Sequence, residues 1–588
     1  MTTGFPIAST RRPTSLSIPQ RSRRAVVLMA VVTVLMGSCV FRLAQLQLKQ
    51  GASNRELAEK NRVSLVPLPS DRGNILDRQG RLLATNRLAR SVYLTPREQS
   101  EQQWAETAQR LGPLLNLPPE EILTKLRQAG YRSANPVRIS RNLNPTAFVV
   151  LAEQAAQFAG VEIRAESSRH YPNGKLGAHV LGYISEATEA DLKTNPQYPM
   201  GMLTGQMGVE RIAETTLQGV WGARQVEVDA GGRSGKVLGI KAPQSGGAVN
   251  LTLDLDLQKT AEAALANRRG AAVVLDIKTG EVLALASGPS FDPNLFTRRM
   301  TTEEWKRLQE EDKPFLNRAL QGYPPGSTFK IVTAAAGMQS GKFSPDSTIA
   351  TSAYISLGGF QFHEHGSSYG VIGFPEAIAV SSNTFFYQVG LAAGPEEISK
   401  WGQLLGIGTT NLGLEGGNHG MVPTPSQKEK LFKEPWYGGD TVSMSIGQGL
   451  VQSTPLEMAV MVAAIANGGR RVRPHLLTSQ TNTPATQAET TGLNPDVVAV
   501  IRQGLVAVVQ QGTAKSLNDG SIPLTGGKTG TAEVVGQRDN AVYVGFGPAE
   551  NPRIALAVVV ENGGFGAESA VPIAHELYKT YFKKPPRP

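Results

Sequence analysis

One serine and one lysine have the spacing that nucleophilic catalysis requires. Residues 323–330 read YPPGSTFK, and this segment holds the chain's one Ser-x-x-Lys, with Ser327 and Lys330. A Pro-Pro-Gly turn before a helix-forming run predicts Ser327 at a helix N-terminus and Lys330 on the same helix face. A hydroxyl attacks only when a base takes its proton. A lysine can be that base if burial or a second cation lowers its pKa.

Two further motifs follow that pair along the chain. Ser-x-Asn occurs at residues 381–383, and also at residues 133–135 and 516–518. Lys-Thr-Gly occurs at residues 278–280 and again at residues 528–530. The first Lys-Thr-Gly lies between two strand-like runs, where a solvated hairpin turn explains it. The aromatic residues after the first serine motif, in SSNTFFYQVG, are expected to pack into the core and fix that turn.

The second Lys-Thr-Gly has the composition of a substrate-binding strand. It lies in GGKTGTAE (526–533), whose small residues allow a substrate backbone to approach closely. Lys528 and the hydroxyl groups of Thr529 and Thr531 suit a carboxylate ligand. We therefore expect this copy, and not the one before Ser327, to belong to the site.

The elements around these motifs indicate a mixed sheet packed by helices. Residues 271–277 and 281–287 predict a β-hairpin, and residues 554–562 predict another strong strand. Residues 250–258 read as an edge strand, with Asp254 and Asp256 on a solvated face. Before residue 250, short strand-like runs mixed with Gly and Pro predict an α+β region without a reactive cluster, and residues 46–65 predict a helix.

The N-terminus contains the most apolar stretch of the chain. Residues 25–41 carry no charge over 17 positions, which as a helix spans roughly 25 Å, slightly short of a ~30 Å hydrocarbon core. Flanking arginines and the following LAQLQL make up the difference, so we predict an anchor over residues 25–45. The basic residues before it place residues 1–24 in the cytoplasm and the rest outside. A lipoprotein site at residues 36–39 and a buried soluble helix are the alternatives.

Charge and cysteine content exclude several classes of function. The chain of 588 residues carries a net charge of +10, but eight basic and no acidic residues precede Glu56. Subtracting those eight leaves about +2 for the remainder, so a general nucleic-acid-binding surface is not expected. Cys39 is the single cysteine, which excludes an internal disulfide and a CxxC metal site. Because it lies in the apolar stretch, a cysteine nucleophile is excluded too.

Three other polar groups have ordinary explanations. His363 and His365 could present imidazoles on one face of a strand, but no third metal ligand is identifiable nearby, and a polar loop at the active-site rim is the preferred interpretation. Arg72 and Asp77-Arg78 are interpreted as a salt-bridged cluster that defines the fold. Residues 447–449 (GQG) are interpreted as a structural turn beside the site.

Taken in order, these motifs resemble a known family. Ser-x-x-Lys, Ser-x-Asn and Lys-Thr-Gly follow one another in penicillin-binding proteins and β-lactamases. From about residue 72 to residue 562 the chain resembles class B penicillin-binding proteins. SFDPNLF, SSNTFFYQVG and WYGGDTVSMSIGQG favour the elongation branch, penicillin-binding protein 2. The segments that carry the broader resemblance are RGNILDRQGRLLA, RHYPNGKLGAHVLGY, GQMGVE, LDIKTGEVLALASGPSFDPNLF, YPPGSTFK, SSNTFFY, IGQG and GGKTGTAE.

The resemblance implies an α+β chain whose transpeptidase domain is a mixed α/β fold with a central antiparallel sheet. It implies no cofactor and no metal. The expected parts are a cytoplasmic tail (1–24), a transmembrane anchor (25–45), a pedestal of the dimerisation type (46–249), the transpeptidase domain (250–582) and a disordered tail (583–588).

The family mechanism implies a role for each catalytic residue. Ser327 attacks the penultimate D-alanine of a stem pentapeptide and releases the terminal D-alanine. Lys330, kept neutral in part by Lys528, accepts the serine proton. Ser381 helps to protonate the leaving amine, and Asn383 holds Lys330 and the substrate backbone.

The resemblance also implies how substrate and drugs bind. Lys528, Thr529, Gly530 and Thr531 bind the terminal carboxylate, and the N–H groups of Ser327 and Thr531 form an oxyanion hole. The acceptor is the amine of a second stem peptide, and β-lactams stall the enzyme at the acyl stage.

The implied biology is peptidoglycan cross-linking in cell elongation and shape maintenance. The chain shows no glycan-polymerising domain, so the expected partners are nascent glycan strands, elongation-complex proteins and an integral-membrane polymerase, with no nucleic acid. The expected location is the cytoplasmic membrane with a periplasmic catalytic domain. The alternatives are a septal transpeptidase of the division type, a D,D-carboxypeptidase or β-lactamase with the same site, and a non-catalytic scaffold or sensor.

Overall fold

The structure is a computed structural model, and it has a mixed α+β fold as predicted. Residues 1–17 of the predicted cytoplasmic tail and residues 584–588 of the predicted disordered tail lie outside the described residues. The structure describes residues 18–52, 55, 63–133, 136–198, 201–228, 234–266, 268–298, 300–310 and 312–583.

Before residue 249, short strands alternate with short helices after one long N-terminal helix. The helices are α1 (Ile18–Ala44), α2 (Glu101–Leu115), α3 (Pro119–Ala129), α4 (Pro145–Glu153), α5 (Ala178–Leu181), α6 (Glu189–Thr194), α7 (Gly208–Ile212) and α8 (Glu214–Leu217). The strands are β1 (Val63–Leu68), β2 (Ile75–Leu76), β3 (Leu82–Leu94), β4 (Val137–Ser140), β5 (Val161–His170), β6 (Ile184–Glu186), β7 (Leu203–Gly205), β8 (Gly222–Val228) and β9 (Ser234–Lys241).

From residue 249 on, longer helices surround a set of largely buried strands, and several short strands are more exposed. The strands are β10 (Val249–Asn250), β11 (Gly270–Asp276), β12 (Val282–Gly288), β13 (Thr348–Ala350), β14 (Tyr354–Leu357), β15 (Phe360–His363), β16 (Val371–Gly373), β17 (Arg470–Arg471), β18 (Glu489–Thr490), β19 (Gly526–Ala532), β20 (Asn540–Gly547) and β21 (Ile554–Val560). The helices are α9 (Leu255–Leu265), α10 (Thr302–Glu310), α11 (Lys330–Gln339), α12 (Phe374–Val380), α13 (Asn383–Ala393), α14 (Pro395–Leu404), α15 (Pro425–Phe432), α16 (Gly438–Ser445), α17 (Pro455–Ala466), α18 (Pro495–Gln510), α19 (Gly566–Ser569) and α20 (Val571–Phe582).

Helix α1 has the properties of a membrane span. The helical stretch Ser22–Lys49 is 28 residues long with a mean hydropathy of 2.3, and none of its apolar window is buried in the protein. It is the one helix among the described residues that is long and apolar enough to cross a membrane. Leu28 and Phe41 are 68% and 73% exposed, as side chains in contact with lipid must be. This helix therefore fits the predicted membrane anchor.

The chain divides into two compact units, each discontinuous in sequence, and α1 belongs to the first unit. This first unit comprises the described parts of Met1–Leu68 and Gly222–Ala242, and it also holds an antiparallel sheet in the order β1-β8-β9. The helix predicted over residues 46–65 is wrong at its C-terminal end, because β1 begins at Val63 and pairs with β8. Residues 53–54 and 56–62 of that prediction lie outside the described residues.

The second unit, Pro69–Trp221 and Pro243–Pro588, begins with a sheet built around one long strand pair. β3 and β5 pair antiparallel from Thr85↔His170 to Leu94↔Val161, and β4 extends the sheet beyond β3. Helices α2 and α3 pack on each other around a small core that includes Trp104, Leu111 and Ile122. This region is α+β, as the sequence predicted.

A buried ion cluster joins the segments of this region, as predicted at Arg72. Glu210 is completely buried, and its carboxylate oxygens lie 2.6 Å from Arg72 Nε and 2.7 Å from Arg169 Nε. Arg72 also binds Glu214 at 2.6 Å. Burial by itself raises the pKa of Glu210, but Arg169 and Arg72 outweigh it and hold that pKa below its ordinary value. The cluster is therefore ionised and depends on all of its members.

The central sheet of the C-terminal region has five antiparallel strands in the order β12-β11-β21-β20-β19. The predicted hairpin of β11 and β12 is confirmed, with the first Lys-Thr-Gly in its turn: Asp276 Oδ1 accepts from the N–H groups of Lys278 at 2.8 Å and Thr279 at 3.0 Å. Helix α17, every residue of which is buried, packs on β11, β20 and β21. β19 lies at the sheet edge.

The edge strand predicted over residues 250–258 is wrong beyond its first residue. β10 is only two residues long, and Asp254 instead caps α9: its side chain accepts from the N–H groups of Asp256 at 3.0 Å and Leu257 at 3.3 Å. Asp254 is only 5% exposed. The alternation of leucine and aspartate matches a strand, but an aspartate that can satisfy free N–H groups at a helix start decides the structure.

Candidate active site

Ser327 lies in a tight turn between the edge strand and a glycine loop. Gly326–Phe329 forms one 3-10 turn that leads directly into α11. Gly326 has φ +54°, and a Cβ there would lie 2.7 Å from the carbonyl oxygen of Thr531. Its N–H donates to Gly447 O at 3.0 Å. Ser327 keeps partial exposure while its neighbours in the turn are buried. A reactive hydroxyl is thus presented at the start of a helix.

Lys330 is buried against the Ser-x-Asn turn. Its side chain is 0% exposed, and Nζ donates to Asn383 Oδ1 at 2.7 Å, Ser381 O at 2.7 Å and Ser381 Oγ at 3.3 Å. Burial first, and the charge of Lys528 second, bring the pKa of Lys330 well below that of an ordinary lysine. The neutral amine keeps two N–H groups for Asn383 Oδ1 and Ser381 O, which leaves its lone pair free to accept a proton.

Ser381 joins the two lysines of the site. It adopts the left-handed conformation, with φ +61°, where α12 ends. Ser382 then caps α13 by accepting from Phe385 N at 3.3 Å. Ser381 Oγ accepts from Lys528 Nζ at 2.9 Å as well as from Lys330. Two amines therefore share one hydroxyl, which is an arrangement that can relay a proton.

Lys528 is the second buried amine. It is 0% exposed on β19, and Nζ also donates to Thr529 O at 3.0 Å. Burial lowers its pKa to about 7. Since the charge of Lys528 also lowers the pKa of Lys330, protonation of one amine disfavours protonation of the other.

β19 presents small residues beside the Ser327 turn. A Cβ on Gly530 would lie 2.9 Å from Pro325 O and 3.2 Å from Thr328 Cγ2, so the strand and the turn touch through backbone. Thr529 and Thr531 flank this glycine, and Thr531 is partly exposed. Because β19 is an edge strand, a substrate in extended form can pair along it.

Two residues that support β19 come from other segments. Thr513 Oγ1 lies 2.5 Å from Thr529 Oγ1, and Gln448 Nε2 donates to Thr531 O at 3.3 Å. A Cβ on Gly447 would lie 2.4 Å from Gly326 O, so the predicted GQG turn beside the site is confirmed. Thr513 was not identified from the sequence, where it follows a helix in an ordinary Gln-Gln-Gly-Thr run.

Sequence reasoning also missed the role of Glu364. Its carboxylate accepts hydrogen bonds from Ser382, Asn383 and Thr384, and Asn383 Nδ2 donates to His363 O at 3.4 Å. The predicted loop at the site rim is therefore confirmed. Glu364 is the only acidic residue between positions 351 and 372. That isolation, followed by a Ser-Ser-Asn-Thr run rich in donors, was the available signal.

The structure brings four of the predicted site residues into one hydrogen-bonded network. Lys330, Ser381, Asn383 and Lys528 are linked directly by hydrogen bonds. Ser327 lies three residues before Lys330, and the strand that carries Thr529, Gly530 and Thr531 touches its turn. A nucleophile, a neutral amine, a shared hydroxyl and an edge strand form the constellation expected for acyl transfer.

Two family models match the chain. The model described as Penicillin binding protein transpeptidase domain matches residues 270–579. The model described as Penicillin-binding Protein dimerisation domain matches residues 67–251. All residues of the network above lie inside the first match.

Curated relatives match over nearly the whole length. The Peptidoglycan D,D-transpeptidase MrdA of Acinetobacter baumannii is 35% identical over 583 residues, which cover 93% of this chain and 86% of the relative. The protein of the same name from Escherichia coli K12 is 31% identical over 582 residues, which cover 92% of each chain.

Solved structures match the fold. Penicillin-binding protein PBP2 from Helicobacter pylori, in a complex with MreC, has a TM-score of 0.80 at 28% identity and covers 89% of this chain and 99% of its own. A chain from a structure entitled "Structural coordination of polymerization and crosslinking by a peptidoglycan synthase complex" has a TM-score of 0.71 at 33% identity, and covers 96% and 99%.

Proposed function

Because the chain belongs to the class B penicillin-binding proteins of the elongation type, and is a peptidoglycan D,D-transpeptidase, we propose that Ser327 is its nucleophile. The observation that carries this proposal is that Lys330 and Lys528 both contact Ser381 Oγ. Lys330 in turn lies one helical turn from the partly exposed Ser327. Burial that keeps Lys330 neutral supports its role as the base. A scaffold has no need of such an arrangement.

Acylation uses these residues in sequence. Ser327 Oγ attacks the carbonyl carbon of the penultimate D-alanine of a stem peptide, and its proton passes to Lys330. The N–H groups of Ser327 and Thr531 stabilise the oxyanion, an effect worth roughly 3 kcal/mol per donor. As the bond to the terminal D-alanine breaks, its nitrogen takes a proton through Ser381. Free D-alanine leaves, and an ester to Ser327 remains.

Substrate recognition rests on β19. The terminal carboxylate binds Lys528 and the hydroxyl groups of Thr529 and Thr531, while Gly530 lets the strand lie against the Ser327 turn. Thr513 holds the Thr529 hydroxyl in place at 2.5 Å.

Deacylation completes the cross-link. The amine of a second stem peptide attacks the ester carbonyl, a new amide bond forms, and Ser327 takes back a proton. A β-lactam opens at the same serine, but its amine stays tethered to the acyl group. The drug therefore blocks the approach of the acceptor, and the ester persists.

Helix α1 and the relatives support a proposal for the location and the partners. We propose that the residues before α1 are cytoplasmic and that the transpeptidase domain, beginning near residue 250, lies outside the cytoplasmic membrane. Arg23 and Arg24 before the apolar stretch support this orientation. A separate integral-membrane glycan polymerase and other elongation proteins are the proposed partners, since the similar Helicobacter pylori protein is in a complex with MreC. Protease added to spheroplasts should digest the C-terminal region, and protection of that region contradicts the orientation.

The test is covalent labelling of the full chain in detergent with a fluorescent penicillin. Wild type should form a stable adduct and Ser327→Ala should form none. A folded wild-type protein that does not label overturns the proposed nucleophile. Rapid loss of the label to water indicates a β-lactamase instead. Release of D-alanine without cross-linked product, in the presence of acceptor strands, indicates a carboxypeptidase.

A further inference from the structure

We propose that Glu364 is a positioning residue of the acylation site, holding the turn at residues 381–383 so that its acceptors meet Lys330. This inference rests on the function proposed above. It extends the site to a segment before the Ser-x-Asn motif that carries none of the three motifs.

The contacts of Glu364 are concentrated on that turn. Oε2 accepts from Ser382 Oγ at 2.5 Å, Thr384 Oγ1 at 2.7 Å and Thr384 N at 3.0 Å. Oε1 accepts from Asn383 N at 2.5 Å and from His365 N at 2.9 Å. Four of these five donors belong to residues 382–384. The carboxylate is 7% exposed, so the protein supplies nearly all of its solvation.

The turn needs such a support because of its geometry. The chain passes from α12 to α13 through only two residues, and Ser381 adopts φ +61°. That conformation is sterically unfavourable for a non-glycine residue. This short link must direct Ser381 O and Ser381 Oγ, together with Asn383 Oδ1 at the start of α13, at one amine. Donors anchored on Glu364 fix the backbone immediately after the strained residue.

The segment that carries Glu364 is itself held in place. Glu364 N donates to Ala353 O at 2.8 Å, at the base of the β14–β15 hairpin. Ser352 N donates to Thr384 Oγ1 at 3.2 Å, and Thr384 Oγ1 lies 3.2 Å from Ser352 O. Ser352, at the hairpin base, therefore contacts Thr384 through both its N–H and its carbonyl group. The carboxylate of Glu364 is thus held in position before the substrate binds.

The charge of Glu364 also acts on the amine of Lys330. Around it lie Lys330, whose pKa it raises against the lowering by burial and by Lys528, and the phenols of Tyr369 and Tyr387. Hydrogen bonds from Ser382 and Thr384 keep the pKa of Glu364 below its ordinary value despite burial. Removing this negative charge should lower the pKa of Lys330 further.

The decisive variant is Glu364→Gln, which keeps the shape but turns an amide N–H₂ toward converging donors. The rate of acylation by fluorescent penicillin should fall between about tenfold and a hundredfold, as expected when a reacting group is displaced by a fraction of an ångström to 1 Å. Because neutral Lys330 then persists to lower pH, the acid limb of the rate profile should move to lower pH. A role limited to folding would reduce the labelled fraction but leave that limb unmoved.

Glu262→Gln is the matched control. This carboxylate on α9 is also largely buried and accepts from Gly177 N at 2.7 Å and Gln258 Nε2 at 2.8 Å, but it contacts none of the motif residues. Its acylation rate and acid limb should equal those of wild type.

If Glu364→Gln does not fold, two milder variants at Thr384 test the role of Glu364. Thr384→Val removes one donor and keeps the charge, so acylation should slow between about threefold and tenfold with the acid limb unmoved. Thr384→Ser restores the hydroxyl and should restore the rate. Wild-type rates in Glu364→Gln, or in Thr384→Val where the first variant is unfolded, overturn the role of Glu364. Failure of wild type to label overturns the proposed function instead.

Discussion

At the scale of single residues, the site depends on where one proton resides. Lys330 and Lys528 both donate to Ser381 Oγ, and burial lowers both of their pKa values. Two amines that share an acceptor do not both carry a full charge easily in a buried site. The lysine on β19, with a pKa of about 7, keeps enough charge to bind a carboxylate while the other acts as base.

Lys528→Ala should therefore change the pH dependence as well as the rate. Without the neighbouring cation the pKa of Lys330 rises, so its neutral form is populated only at higher pH. The acid limb of the acylation profile should move to higher pH, and the rate at neutral pH should fall about a hundredfold. Penicillin labelling followed from pH 5 to pH 10 measures both. An unmoved limb would show that the two amines are not coupled.

At the scale of elements, the close approach of β19 and the Ser327 turn sets the geometry. Gly530→Ala puts a methyl group 2.9 Å from Pro325 O and 3.2 Å from Thr328 Cγ2, so the strand and the turn must separate. We expect acylation to fall more than about a hundredfold, at a stability cost of about 1–3 kcal/mol. Labelling kinetics and a thermal melt of the same sample distinguish the two effects.

The control for this variant lies in the same segment as the serine. A methyl group on Gly322 meets Gln452 Cβ at 3.4 Å, an ordinary contact. Gly322→Ala should keep the acylation rate within about twofold of wild type. Equal losses of acylation rate in Gly530→Ala and Gly322→Ala would mean that any added methyl group near Ser327 slows acylation. The contact of β19 with the turn would then not be the cause.

Some of these elements were predicted correctly from the sequence and others were not, for physical reasons. The runs that form β11, β12 and β21 are continuous and apolar, and that pattern leaves little alternative to a buried strand. The role of Asp254 was predicted wrongly because alternating leucines and aspartates fit both a strand and a helix start that is capped by an aspartate. The contacts of Glu364 were not predicted, since its hydrogen bonds reach a turn about 20 residues away and depend on how the hairpin folds back. The motif residues were found because their types and order are themselves unusual.

At the scale of the whole molecule, the cluster around Glu210 holds the N-terminal part of the second unit together. Arg72, Arg169 and Glu214 join it across more than 100 positions of sequence. It shares no hydrogen bond with Lys330 or Lys528. Damage to it should therefore affect stability and not chemistry.

Glu210→Gln should lower the free energy of unfolding by about 3–5 kcal/mol, because it leaves buried guanidinium groups without their counterion. The pKa of Glu210 is lowered in the fold, so its stabilisation is present at neutral pH and is lost as the pH falls through that lowered pKa. The penalty of the variant should shrink accordingly in acid. Thermal melts at several pH values measure this, with acylation per folded molecule expected to stay unchanged.

Glu397→Gln provides the comparison for that variant. Glu397 pairs with Lys400 at 3.1 Å, but the two side chains are 34% and 56% exposed. Its loss should change stability by no more than about 1 kcal/mol. A similar loss of unfolding free energy in Glu210→Gln and Glu397→Gln would mean that burial of the Glu210 cluster does not increase its contribution to stability.

The strand order of the central sheet also determines how long a strand waits during synthesis for its pairing partner. Gly270 on β11 pairs with Val560 on β21, a partner that is translated 290 residues later. At about 5–20 residues per second, β11 and β12 wait on the order of 15–60 s for that neighbour. During this wait an apolar strand edge is open, and Ser327 has been made while Lys528 has not. The nascent chain is therefore exposed to aggregation for that period, and we expect it to depend on a chaperone until the last strands arrive.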